Sequence, residues 1–125
     1  MGSVIEAEGF IVKDSQGVVR ARLGFVGDDQ DYVGLSLYDQ AGRSRILIST
    51  AGEGNYDRAT VLLKDRSGAF RAKLDVVNGI SHLVLSDAGE VPRIRLSCDP
   101  TGVTLIEVLK SDGDVAFSTR EEPVV

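Results

Sequence analysis

His82 is the only imidazole in this 125-residue sequence, so it would have to serve as the base in any Ser-His-Asp site. Ser81 beside it is a candidate nucleophile, but no Gly-x-Ser-x-Gly elbow is present to expose a serine on a sharp turn. Asp28, Asp29 and Asp31, in the run GDDQDY, could offer carboxylate oxygens to Ca²⁺. That segment lacks the Asp-x-[Asp/Asn]-x-[Asp/Asn]-Gly-x5-Glu order that wraps the ion, so it reads as a solvated acidic loop. Cys98 stands alone, which excludes an internal disulfide and a cysteine-built metal cage. The glycines sit in turn contexts, not in a phosphate-cradling loop ahead of a helix. We therefore expect no catalytic residue, no cofactor and no metal, and read the chain as non-catalytic.

Composition narrows the partners. A net charge of −5 and a pI of about 4.8 argue against nucleic acid or an anionic membrane. Lys and Arg are spaced singly instead of clustering in a patch. No apolar run approaches the roughly 20 residues of a membrane-spanning helix. No secretory signal pattern opens the chain, which makes the cytoplasm the expected location if the chain is complete.

Most of the remaining pattern is one recurring phrase: an apolar strand, Asp-x-x-Gly, two residues, an Arg and an aliphatic residue. It reads IVKDSQGVVRARL at Ile11–Leu23, LYDQAGRSRILI at Leu37–Ile48, LLKDRSGAFRAKL at Leu62–Leu74 and VLSDAGEVPRIRL at Val84–Leu96. A worn fifth copy, VLKSDGDVAF, covers Val108–Phe117. Measured from Asp14, Asp39, Asp65, Asp87 and Ser111, the steps are 25, 26, 22 and 24 residues, enough for one β-hairpin each. The flanking runs alternate. Val12, Leu37, Leu63 and Leu85 before the turn, and Val19, Ala21, Leu23, Ile46, Phe70, Leu74 and Leu96 after it, fall on one parity. Such alternation marks strands with one buried face, and Cys98 continues it as a small buried hydrophobe.

Parity also constrains the turn. Residues paired across an antiparallel ladder share a face, so an even, four-residue loop pairing Val12 with Val19 is expected. A three-residue loop with a glycine bulge would put Arg20 opposite Val12 on the buried face. In the even register Arg20, Arg45, Arg71 and Arg93 lie across from Ile11, Ser36, Leu62 and Val84 and face outward, their stems covering apolar surface. The fourth copy moves its glycine to Gly89, and Asp112-Gly113 in the fifth reads as a two-residue type I′ turn.

The expected fold is all-β: an antiparallel meander of about ten strands from five hairpin repeats (5–26, 33–50, 59–76, 82–98 and 103–119) in one domain, residues 1–125. It forms a closed or flattened barrel, with a β-sandwich or an intertwined oligomeric β-structure as alternatives. A round ten-stranded barrel lined by Val, Leu, Ile and Ala would be partly hollow. The phrase resembles repeats in uncharacterised bacterial β-hairpin proteins that read aliphatic-x-aliphatic-x-Asp-x-x-Gly-x-x-Arg-Ala-x-Leu. Phe10–Leu23 and Leu63–Leu74 match best, and the likeness spans about residues 5–97. What the resemblance implies is a structural or surface module with no activity to carry over.

Function, where it exists, is expected on the loops opposite the Asp-x-x-Gly turns. These are GDDQDY at Gly27–Tyr32, AGEGNYDR at Ala51–Arg58, VNGISH at Val77–His82 and SCDPTG at Ser97–Gly102. The candidate partner-binding rim is Asp28, Asp29, Asp31, Tyr32, Asn55, Tyr56, Asp57, Arg58, Asn78 and His82. A self-associating structural module, a homo-oligomer presenting this rim to a protein partner, is the leading reading. The alternative is a β-barrel carrier holding a hydrophobic small molecule in its interior.

Overall fold

The computed structural model describes residues 2–26, 32–53 and 56–120, with backbone alone at 26, 32, 52, 53 and 56. The ten strands are β1 (Gly9–Lys13), β2 (Val19–Val26), β3 (Tyr32–Tyr38), β4 (Ser44–Glu53), β5 (Tyr56–Lys64), β6 (Phe70–Val77), β7 (Ile80–Ser86), β8 (Pro92–Cys98), β9 (Thr104–Leu109) and β10 (Val115–Ser118). They pair antiparallel in chain order as one sheet. Among the described residues no strand meets any strand except its sequence neighbours. The sheet is open, so a closed barrel is excluded and the flattened meander holds. It is a single layer.

The phrase builds its hairpins with two bulges, not with an even loop. Asp14 N–H donates to Val18 O at 2.9 Å, and Gly17 N–H donates to Asp14 O at 3.0 Å. Gly17 has φ of +83°, which completes a type I turn with a glycine bulge. Lys13 then pairs with Val19, but Val12 pairs with Ala21, so Arg20 is an extra residue on the returning strand. The same shift occurs at Arg45, Arg71 and Arg93. One bulge reverses the facing and the second restores it. Beyond the second bulge the faces are as the alternation predicts, while the register is displaced by two residues. Between the bulges they are not: Val19 and Phe70, expected on the inward parity, pair with Lys13 and Lys64 and lie on the other face. Ile11 faces Arg22, Leu62 faces Lys73 and Val84 faces Arg95, not the arginines of the phrase.

Two further turns depart from expectation. In the fourth copy Glu90, not Gly89, takes the left-handed position with φ of +65°. Its carboxylate compensates by accepting from Phe70 N–H at 2.9 Å. In the fifth, Lys110 opens the turn: its N–H donates to Asp114 O and Gly113 N–H donates to Lys110 O. That is the same three-residue bulged turn, not a type I′ turn.

Register places the alternating aliphatics outside the turns and their bulges on one face. Phe10, Leu23, Leu35, Ile48, Val61, Leu74, Leu83, Leu96 and Ile106 form one row across nine strands. Val12, Ala21, Leu37, Ile46, Leu63, Ala72, Leu85, Ile94, Val108 and Phe117 form the next. No layer covers them. Val12 is 57% exposed and Leu74 54%, where a core residue would be nearly dry. Cys98, expected to be buried, is exposed because it lies on this same uncovered face.

Candidate functional site

The rim opposite the phrase turns is tighter than the sequence suggests. Val77 pairs with Ile80 across Asn78-Gly79, whose φ values of +50° and +84° make a two-residue type I′ turn. Asp99-Pro100-Thr101-Gly102 is another bulged Asp-x-x-Gly turn: Asp99 N–H donates to Val103 O and Gly102 N–H to Asp99 O. Glu53 pairs with Tyr56, which leaves only residues 54–55 between β4 and β5. Among the rim candidates, Asp57 and Asn78 are brought together. Asp57 N–H donates to Asn78 Oδ1 at 2.9 Å, and Asn78 N–H donates to Asp57 O at 2.8 Å. Arg58 sits in the ladder between Ala51 and Val77. Tyr32 and Tyr56 begin β3 and β5 at this rim. Asp28, Asp29, Asp31 and Asn55 lie outside the described residues, and with them the Ca²⁺ reading.

His82 is away from the rim tip, on the sheet face opposite the aliphatic rows. Its Nδ1 lies 3.2 Å from Oδ1 of Asp75, which is only 5% exposed and whose Oδ2 is 3.7 Å from Lys73 Nζ. Ser97 is the ladder partner of His82 on its other side, so Asp75, His82 and Ser97 occupy one row on three adjacent strands. Their row borders a hollow of about 420 Å³ that Arg95 and Glu107 also line. An aspartate orienting an imidazole beside a serine has the parts of a hydrolytic triad. Two features argue against that chemistry. No hydrogen bond joins Ser97 to His82 among the described residues, and the strand amides around it are committed to ladders on both sides, leaving none to hold an oxyanion. Ser81, the nucleophile the sequence suggested, projects to the aliphatic face, away from the imidazole. Among the described residues no three metal-ligating side chains converge.

At the opposite end the phrase residues form a repeated electrostatic unit. Oδ1 of Asp65 accepts from Ser67 N–H, Ser67 Oγ and Ala69 N–H, and Oδ2 lies 3.5 Å from Arg71 Nη1. The Ser67 hydroxyl, followed by these amides and Arg71, holds the Asp65 carboxyl below its ordinary range. Asp39 and Asp87 are lowered chiefly by the Arg43 and Val91 amides, and, back at the rim, Asp99 by the Thr101 hydroxyl. These aspartates are turn formers, as their spacing suggested. The role of the arginines is sharper than the sequence conveyed. Freed by the bulge, each gives its Nε–H to a backbone carbonyl of the next hairpin: Arg20 to Tyr38 at 3.0 Å, Arg45 to Lys64 at 2.8 Å, Arg71 to Ser86 at 2.7 Å and Arg93 to Leu109 at 2.8 Å. The acceptor is each time the residue just before the next turn.

Among the described residues, the aliphatic face carries most of the exposed large hydrophobic side chains. Its rows hold Phe, Val, Leu, Ile and Ala, and the third row adds Phe25, Val33, Thr50, Ala59, Val76, Ser81, Cys98 and Thr104. No charged residue occurs in any of the three. Among the described residues no helix is long and apolar enough to cross a membrane. Compared with known proteins, the chain matches no family model and no curated sequence.

Proposed function

We propose that this chain is a non-catalytic, self-associating structural module whose uncharged face is covered by the same face of a second copy. The observation that carries this reading is the uncovered face itself: three uncharged rows with no layer over them. Exposed apolar patches of this size mark interaction surfaces. Ten strands at about 4.8 Å spacing and about 20 Å of strand length give a face of roughly 900 Å². A stable interface takes about 800 Å² from each partner, so one further copy satisfies the requirement. Sheets packed face to face in this way interdigitate their side chains as a β-sandwich does. The charged groups lie on the other face and at the turns, where the acidic chains stay solvated. The loop rim remains open to a protein partner in this arrangement.

Light scattering combined with native mass spectrometry tests the reading. The expected mass is an even multiple of the 13.4 kDa chain, twice at the least. Leu74→Glu should raise the dissociation constant by about a hundredfold or more, because it buries an unpaired carboxylate in the interface. Arg22→Glu, on the opposite face, should leave the mass unchanged. A well-folded wild-type monomer, or a monomer carrying a lipid-like molecule, would overturn the proposal, the latter in favour of a hydrophobic carrier.

A further inference from the structure

The arginine tie is directional. It always runs from the returning strand of one hairpin to the residue before the turn of the next. Four interfaces, β2–β3, β4–β5, β6–β7 and β8–β9, are built this way. The fifth hairpin has the same bulged turn, so its equivalent positions can be read directly: Val115 pairs with Leu109 and Phe117 with Val108, leaving residue 116 as the bulge. That residue is Ala116, with no donor to give. The turn position held by aspartate elsewhere is Lys110, which cannot pair with a guanidinium. A second feature lies on the same strand. Thr119 N–H donates to Ile106 O, but Ile106 N–H is taken by Thr119 Oγ1 at 2.9 Å instead of a main-chain carbonyl. The ladder ends there, and β10 keeps four residues. Short edge strands resist addition of another strand.

At the other edge the acceptor is present and untied. Lys13 precedes Asp14 as Tyr38 precedes Asp39, so its carbonyl corresponds to the one that Arg20 takes on Tyr38. No arginine reaches it among the described residues. One copy therefore offers an acceptor on β1, while its β10 lacks the matching donor.

We propose that the fifth hairpin is a terminator. It prevents a second copy from adding its β1 to β10, so that copies associate through the uncharged face and the sheet does not grow edge to edge. The inference rests on the face-to-face reading for the mode of association, but the terminator can be tested apart from it. In Lys110→Asp/Ala116→Arg both parts of the tie are restored. Sedimentation velocity across a hundredfold concentration range, with negative-stain microscopy, should show a discrete species for the wild type. The double variant should show a series of larger species that lengthens with concentration. Ala116→Lys, which supplies charge without the planar Nε–H, should stay discrete. Circular dichroism confirms that each variant keeps its strands. Open-ended growth of the wild type would overturn the proposal, as would a folded double variant of unchanged size. If the wild type is a monomer, the face-to-face reading fails, yet the double variant still reports on the terminator by converting monomers to chains.

Discussion

At the scale of single residues, the turns separate conformational cost from packing cost. Gly68 has φ of +91° and a Cβ placed there would meet nothing within 4 Å. Gly68→Ala should therefore cost about 1 kcal/mol from backbone strain alone. Gly89→Ala, at a residue without positive φ, should be near neutral even though it is the glycine visible in the fourth copy. Chemical denaturation of the two variants checks this, and equal losses would contradict the turn assignment. The turn carboxylates also set an acid limit. Asp39, Asp65, Asp87 and Asp99 are held below the ordinary aspartate range, so the unfolded chain takes up protons first as pH falls. Their contribution is complete above about pH 4 and is lost as pH drops through the lowered values. Melting temperature should be flat above that point and fall below it, with a shallower fall in Asp65→Asn, which keeps an oxygen acceptor but not the charge. A decline beginning near neutrality would contradict the assignment.

At the scale of elements, the arginine tie joins hairpins that already share a ladder. Arg71→Ala removes the 2.7 Å bond to the Ser86 carbonyl and the neighbouring pairing with Asp65. A loss of about 1 kcal/mol is expected, with faster amide exchange concentrated at the turn following β7. Arg71→Lys should recover little of it, since lysine lacks the fork that serves carbonyl and carboxylate together. Strand positions, and facing outside the turns, were legible in the alternation, because period 2 depends only on which side of the sheet each residue takes; Val19 and Phe70, between the two bulges, face the other way. Register was not. A second bulge at Arg20 leaves parity unchanged and so leaves no trace in the hydrophobic pattern. The rim turns show the same limit: Asn78-Gly79 and Asp99-Pro100-Thr101-Gly102 carry ordinary turn signals, but the strands around them fix where the loop stops. The Asp75–His82 pair depends on cross-strand register, and no spacing within either strand announces it.

At the scale of the molecule, the meander behaves as a one-dimensional array, each hairpin resting only on its neighbours in sequence. Periodicity states that one face is apolar; it does not state what covers that face, so it left a closed and a flattened barrel both open, and the chain takes the flattened, open form. Cys98 turns the question into a rate. Its thiol lies on the uncovered face of the single chain, with Sγ 3.5 Å from the Asp99 carbonyl. Pairing of two such faces would shut a small alkylating reagent out, so the modification rate becomes a clock for how often the copies part. Reaction with a thiol reagent should be slow in concentrated protein, quicken on dilution, and approach that of a free cysteine in Leu74→Glu. A rate indifferent to concentration would place the thiol outside the contact.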